Sequence, residues 1–112
     1  MDIQELTQAM HDFVQAKGWY GSTSTRPQTL RNLAISLSLE AGEVLEHFQW
    51  GEQPMDQDEL AGELADVALY LFQISSLAGI DLEDAVLDKL KQNYLRKWDS
   101  LDSNHDLNGP EA

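Results

Sequence analysis

The sequence contains no cysteine, which excludes disulfide bonds and thiolate metal sites. It is also poor in positive charge, with 7 Lys and Arg against 20 Asp and Glu and a net charge of −13. A protein that wraps nucleic acid neutralises phosphates with a basic surface, so this balance argues against a nucleic-acid partner. A small phosphate ligand is not excluded, because a bound divalent cation can invert the local charge.

Two features that would direct a chain to a membrane are also missing. The N-terminal residues have neither the basic region nor the apolar region of a signal peptide. No apolar run approaches the roughly 20 residues of a membrane-spanning helix. We therefore expect a cytoplasmic protein with no membrane partner. The 112 residues predict a single domain, and a hydrophobic content of 42% is normal for a folded one.

Apolar residues recur at helical spacing in four segments of the chain. They predict helices over residues 2–17, 27–50, 56–78 and 82–98. Gly79 is expected to end the third helix, since glycine commonly follows a helix C-terminus. No segment alternates in the manner of a strand. Four helices with short connections predict an all-α fold, a four-helix bundle.

The third and fourth predicted helices carry further local signals. The third is unusually apolar from Val67 to Leu77, which predicts that this half is deeply buried. Asp81 with Asp84 predicts an N-cap for the fourth. Residues 99–112 are polar and aperiodic, so we expect a disordered tail after a domain that spans residues 1–98.

Two pairs of acidic residues lie inside the second and third predicted helices. They read Glu40-Ala-Gly-Glu43 and Glu63-Leu-Ala-Asp66. Residues three apart share a helix face, and each pair is embedded in apolar residues, so antiparallel packing would bring four carboxylates together. Such a cluster needs cations or protons to relieve its repulsion, and hard oxygen ligands select Mg²⁺ or Mn²⁺ over zinc. From the residues alone, a metal site and a solvated acidic surface are about equally favoured.

The acidic motifs resemble the signature of the MazG-like all-α nucleoside triphosphate pyrophosphohydrolase superfamily. That signature is Glu-x-x-Glu, a spacer and Glu-x-x-Asp, and here nineteen residues separate Glu43 from Glu63. Further segments are similar to the dCTP pyrophosphatase branch: Phe13-x3-Lys17-Gly-Trp19, Arg31-Asn32, Phe48-Gln49-Trp50 and Lys89-x3-Asn93-x2-Arg96. The resemblance covers about residues 2–98. The branch has a histidine three residues before its phenylalanine, whereas this chain has Met10 there and His11 one place later.

The resemblance implies Mg²⁺-dependent hydrolysis of (deoxy)nucleoside triphosphates to a monophosphate and pyrophosphate. Candidate substrates are dCTP and modified deoxynucleotides, and Mn²⁺ is an alternative metal. The implied metal ligands are Glu40, Glu43, Glu63 and Asp66. Glu43 or Glu46 would take a proton from the attacking water, and the sequence does not choose between them. The implied substrate contacts are Phe13, Trp19, Arg31, Asn32, Trp50, Lys89, Asn93 and Arg96. Members of the family form dimers or dimers of dimers, so we expect a homodimer or homotetramer.

Two other classes of protein are alternatives. A di-iron carboxylate bundle would need Glu-x-x-His on each of two helices, whereas this chain has only Glu43-x3-His47, and we assign His47 no role. A non-catalytic acidic helical bundle that binds partners would release no pyrophosphate from any nucleotide. In that second case the tryptophans would cover the ends of the core, and the cations of the fourth helix would serve its dipole.

Overall fold

The described structure is built from helices alone. A computed structural model describes residues 1–96, so the predicted tail and Trp98 lie outside the described residues. Residues 1–96 hold four helices and no strand, which confirms the predicted all-α class. The helices are α1 (Ile3–Ala16), α2 (Leu30–Glu46), α3 (Gln57–Leu77) and α4 (Leu82–Leu95). The chain divides into two compact units: Met1–Ile80 carries α1 to α3, and α4 is the described part of the unit that begins at Asp81.

Each helix begins at a capping residue that the sequence provides. Asp2, Thr29, Asp56 and Asp81 each accept a hydrogen bond from a backbone N–H of the first turn. The bond from the Asp84 N–H to Asp81 Oδ1, at 3.0 Å, confirms the predicted cap of α4. A capping residue satisfies backbone N–H groups that the helix itself leaves without acceptors.

The second helix is shorter at both ends than the predicted range of residues 27–50. It begins at Leu30, because the Thr29 hydroxyl accepts from the Asn32 N–H at 3.1 Å and fixes Thr29 as the cap. It ends at Glu46, after which the Phe48 N–H bonds to the carbonyl three residues earlier, at 3.0 Å, and tightens the chain into turns. The segment that follows, including Trp50, is therefore loop.

Two helices are followed by a glycine in the left-handed backbone conformation. Gly79 has a φ of 72° after α3, as predicted, and Gly18 has a φ of 76° after α1. In both places the next residue donates back to the third-last carbonyl of the helix, from Ile80 to Ser75 at 2.8 Å and from Trp19 to Val14 at 3.2 Å. These are Schellman motifs, and the first of them in the chain turns Trp19 back toward α1.

Within the first unit, α3 packs against both α1 and α2. The buried apolar residues of this unit are Met10, Val14 and Leu33. The prediction that the Val67–Leu77 half of α3 is deeply buried is wrong for this chain. Leu71 is 42% exposed there, whereas the polar Gln73 is 3% exposed. Two shorter helices cover only part of the circumference of α3, so a helix that is apolar nearly all round leaves leucines outside.

The expectation that no apolar run approaches the length of a membrane-spanning helix is wrong for α3. Its 21 residues are long and apolar enough, by length and composition alone, to cross a bilayer. One helix of this kind does not identify a membrane protein. The helix also carries Glu63 and Asp66, and carboxylates within a bilayer are costly.

We predict that Gly79→Ala lowers the free energy of unfolding by about 1–2 kcal/mol, because alanine is strained in the left-handed region. Gly62→Ala is the matched control within α3. A Cβ at Gly62 meets nothing within 4 Å, and alanine there should raise stability by roughly 0.5–1 kcal/mol. Urea denaturation measures both changes. Equal stability of Gly79→Ala and wild type would contradict the left-handed ending of α3.

Candidate active site

The four carboxylates that the sequence places on α2 and α3 act on one another in the structure. Burial raises the pKa of the Glu40 carboxyl above its ordinary value. A hydrogen bond with Glu43 and the negative charges of Glu43, Asp66 and Glu63 raise this pKa further. The packing of α2 against α3 is what brings the two pairs together. The negative charge of the cluster is therefore not balanced by positive charge nearby.

This cluster has the donor chemistry of a magnesium or manganese site. The Glu40 Oε2 atom is shielded from solvent and, among residues 1–96, has no hydrogen-bond partner. An orphaned carboxylate oxygen is the donor that a hard cation takes, and a cation would relieve the repulsion. Within residues 1–96, no three Asp, Glu or His side chains lie close enough together to surround a metal ion. The donor set thus fits such a cation, and its side chains have to draw together to bind it.

A buried histidine holds one of the predicted metal ligands. His47 is 4% exposed, and its Nε2 lies 2.5 Å from Oε2 of Glu63. Its Nδ1 is buried and has no hydrogen-bond partner within the described residues. The contact links the end of α2 to α3 and orients the Glu63 carboxylate. The sequence analysis gave His47 no role, although its position one turn after Glu43 was the available signal.

A cavity of about 560 Å³ opens beside the acidic cluster. This volume lies in the range of small-molecule sites in proteins, about 300–1,000 Å³. Five residues that the sequence analysis singled out line it: Phe13, Trp19, Asn32, Glu40 and Asp66. The cavity therefore joins predicted substrate-binding residues to predicted metal ligands in one space.

One wall of the cavity is aromatic and carries positive charge. The Phe13 and Trp19 rings meet edge to face, with centroids 5.6 Å apart and planes at 86°. The Arg26 guanidinium lies 5.2 Å from the centroid of Trp19, and the Lys17 ammonium lies 5.7 Å from that of Phe13. A ring face suits stacking with a flat heterocycle, and the cations suit phosphates. The sequence analysis missed Arg26, which lies in a polar loop without helical periodicity.

Several predicted site residues do not line this cavity. Trp50 is 82% exposed in the loop after α2, and Arg31 lies exposed on the first turn of α2. Glu43 and Glu46 are exposed on α2 outside the cavity, and Glu63 contacts His47 instead.

The three residues predicted on the last helix belong to the second unit of the chain. Lys89 and Asn93 lie on α4, where Asn93 is buried. The helix ends at Leu95, and Arg96 follows with extended backbone, at φ −85° and ψ 142°. The predicted helical stripe through these three residues therefore stops before Arg96.

A chain of side-chain hydrogen bonds joins α3 to α1 and to the loop before α2. Gln73 on α3 donates from Nε2 to the Tyr20 hydroxyl at 3.1 Å and to Gln28 Oε1 at 2.8 Å. The Tyr20 oxygen lies 2.6 Å from His11 Nδ1, and His11 Nε2 lies 2.7 Å from Ser76 Oγ. Burial raises the pKa of the Tyr20 phenol, against a smaller opposite effect of Gln73, so the phenol stays protonated at neutral pH. The sequence analysis missed this chain, and polar residues interrupting the apolar run of α3 were its signal.

Comparison with known proteins relates the chain to nucleotide-processing enzymes. The sequence model of the MazG-like family matches residues 35–108. The dCTP pyrophosphatase 1 of Rattus norvegicus is 36% identical over 75 residues, 59% of this chain and 44% of that protein, and the Homo sapiens protein is 37% identical over the same length. A pyrophosphatase from Archaeoglobus fulgidus DSM 4304 of known crystal structure superposes with a TM-score of 0.64 at 32% identity, covering 80% of this chain and 86% of that one.

A shorter match connects the chain to a phage protein. The dATP/dGTP diphosphohydrolase of Salmonella phage PMBT28 is 50% identical over 42 residues, which are 38% of this chain and 14% of that protein. The chain spans less than half the length of each of these curated relatives.

We predict that the metal-free protein loses stability as the pH rises from 4.5, the ordinary glutamate pKa, through the raised pKa of Glu40. In that interval the folded state holds the Glu40 proton more tightly than the unfolded state, so raising the pH favours unfolding. Glu40→Gln carries no charge and should flatten this part of the stability profile.

Urea denaturation at a series of pH values, with a chelator present, measures the effect. Glu59→Gln is the control, because Glu59 lies exposed in the first turn of α3 outside the cluster. If the unfolding free energies of wild type and Glu40→Gln changed identically with pH, the pKa of Glu40 would not be raised in the folded state.

Proposed function

We propose that this chain, which belongs to the MazG-like family, hydrolyses nucleoside triphosphates to a monophosphate and pyrophosphate with the help of a divalent cation. One observation carries the proposal: a single cavity has an aromatic wall at Phe13 and Trp19 and reaches the carboxylates Glu40 and Asp66. The first feature suits a nucleobase, and the second suits a metal-bound polyphosphate. The names of the relatives, dCTP pyrophosphatase, dATP/dGTP diphosphohydrolase and pyrophosphatase, support the same reaction.

The reaction breaks the bond between the α-phosphorus and the oxygen that bridges it to the β-phosphorus. Water attacks the α-phosphorus, and pyrophosphate leaves with the bridging oxygen. Glu40, Glu43, Glu63 and Asp66 would hold Mg²⁺ or Mn²⁺. A metal bound there supplies charge neutralisation of phosphate oxygens and a lowered pKa for a coordinated water.

A carboxylate that is not fully committed to the metal would accept the proton of the attacking water. Glu43 and Glu46 are the candidates, and their exposure on α2 leaves both open to solvent. His47 holds Glu63 in place and is a positioning residue for the cluster.

The substrate would lie along the cavity with its base toward the aromatic wall. Trp19 or Phe13 would stack on the base, since their planes stand at 86° and a flat base lies parallel to only one of them, and Asn32 would donate or accept at the ribose. We propose dCTP or a modified deoxynucleotide as the preferred substrate, which the dCTP pyrophosphatase relatives support. Additional contacts are proposed for residues outside the cavity: Arg31, Trp50, Lys89, Asn93 and Arg96.

The exposed leucines of α3 support assembly into a homodimer or homotetramer. Leu71 and Leu77 leave about two fifths of each side chain accessible in the single chain. Apolar surface of this kind on a helix is typical of an interface.

We predict that sedimentation velocity at micromolar concentration gives a mass of at least two copies of the 12.6 kDa chain. Leu71→Glu places a charge on the apolar face of α3 and should shift the protein toward the monomer. A wild-type monomer under these conditions would contradict the assembly.

The proposed chemistry is tested by Glu40→Gln, Glu43→Gln, Glu63→Gln and Asp66→Asn. Each substitution keeps side-chain size and removes one negative charge, so turnover should fall at least tenfold while the metal-free helical fold persists. Mg²⁺ should also raise the melting temperature less than in wild type, because ligand stabilisation follows affinity.

Pyrophosphate release from a panel of nucleotides, paired with melting curves with and without Mg²⁺, provides both measurements. Glu59→Gln on the same helix is the control and should behave as wild type, since surface substitutions change stability by less than about 0.5 kcal/mol. Wild-type activity and a wild-type Mg²⁺ shift in all four variants would refute the metal site and the enzymatic proposal with it.

A further inference from the structure

We propose that Gln73 selects the nucleobase, by accepting a hydrogen bond on its side-chain oxygen from an exocyclic amino group such as that of cytosine or adenine. The inference rests on the proposed function, because it names the substrate class of the same cavity. Gln73 lines the cavity and is 3% exposed, so it is a buried polar side chain beside the space where a ligand would lie. The orientation of the Gln73 amide decides which group of a ligand can bind to it.

Gln28 determines the orientation of the Gln73 amide. The Gln28 side chain bonds to the backbone carbonyl of Arg26 at 2.7 Å. A carbonyl oxygen only accepts hydrogen bonds, so the Gln28 atom on it is Nε2 and the remaining atom is the oxygen Oε1. That oxygen lies 2.8 Å from Gln73, and the Gln73 atom facing it therefore has to be the donor Nε2. A flipped Gln73 amide would set two oxygens against each other.

Tyr20 uses the second hydrogen of the same amide. Gln73 Nε2 donates to the Tyr20 hydroxyl at 3.1 Å, and that hydroxyl lies 2.6 Å from Nδ1 of His11. His11 Nε2 in turn lies 2.7 Å from Ser76 Oγ, so the contacts continue from Gln73 through Tyr20 and His11 to Ser76. Together with Gln28, this chain of contacts holds the Gln73 amide by its Nε2 atom.

The carbonyl oxygen is then the part of the Gln73 side chain that retains hydrogen-bonding capacity. Both amide hydrogens are used, and the oxygen can only accept. A ligand that covers this oxygen with an N–H group gives it a hydrogen bond, whereas a ligand that covers it with a C–H group leaves it unsatisfied and one with a carbonyl group repels it. The site therefore favours an amino-bearing base.

The spacing along α3 fits a nucleotide. Gln73 and Asp66 are seven residues apart, both line the cavity, and seven residues rise about 10.5 Å over nearly two turns of helix. That separation is on the order of the distance from the exocyclic amine of a base to the α-phosphate of an extended nucleotide. A triphosphate held at the acidic end thus presents its base to Gln73.

The experiment compares two substrates that differ in one amino group: dCTP and the corresponding 2-pyrimidinone deoxyribonucleoside triphosphate, which lacks that group. Wild type should hydrolyse dCTP with a kcat/KM higher by roughly 10–100-fold, the penalty for leaving a buried acceptor unsatisfied. Gln73→Met keeps a similar volume and removes the acceptor. It should lower kcat/KM for dCTP and leave the analogue nearly unchanged, so that the two substrates become equivalent.

Two variants complete the design. Gln57→Met makes the same chemical change at the exposed start of α3 and should keep the wild-type preference. Gln28→Met leaves residue Gln73 unchanged but removes the acceptor that orients its amide. It should therefore weaken the preference for dCTP without abolishing hydrolysis of the analogue.

The outcomes separate this inference from the proposed function. Equal hydrolysis of both substrates by wild type would overturn the role of Gln73 and leave the pyrophosphohydrolase proposal intact, even if Gln73→Met fails to fold. A preference that persists in folded Gln73→Met would also overturn it. Hydrolysis of no triphosphate at all would contradict the proposed function and this inference together.

Discussion

The packing of α2 against α3 forces four carboxylates into each other's fields, and the chemistry of the molecule depends on that constraint. Burial and this repulsion together raise the pKa of the Glu40 carboxyl above its ordinary value. His47 contacts Glu63 at the same junction, which ties one of the carboxylates on α3 to the end of α2. A protein gains nothing in stability from collecting like charges, so such a cluster is typical of a place where a cation and an anionic ligand complete the structure.

The fold was largely predictable because helix periodicity and capping are local properties of the chain. All four helices lie where apolar spacing indicated, and the caps at Asp81 and Gly79 were identified from single residues. The error at the start of α2 is local too, since the helix is capped by Thr29, two residues after Pro27, where the predicted range began. The exposure of the α3 side chains could not be predicted from the sequence, because burial depends on which neighbouring elements cover a helix.

The candidate site, like the fold, has some features that short sequence motifs predict and others that depend on contacts between residues far apart in the chain. The acidic pairs and the aromatic residues Phe13 and Trp19 follow from short motifs, and the structure brings them to one cavity. The bonds that orient Gln73 join residues 45 and 53 positions apart, and no spacing rule connects them. Trp50 shows the converse, since a residue that motif similarity assigned to the substrate lies exposed outside the cavity of the single chain.

The segment between α1 and α2 has an energetic consequence beyond its place in the cavity wall. Residues 17–29 contain turns rather than helix, and side chains of Tyr20 and Gln28 join them to α3. Detaching this segment would break the side-chain hydrogen bonds of Tyr20 and Gln28, the Thr29 cap of α2 and the bond from Trp19 to Val14, while the helix interiors would keep their bonds. Turn segments held in this way lie toward the low end of the range of local unfolding energies. We therefore expect the segment that carries Trp19 to separate from α3 more readily than the helices unfold, and its amide hydrogens to exchange with solvent ahead of those in α2 and α3.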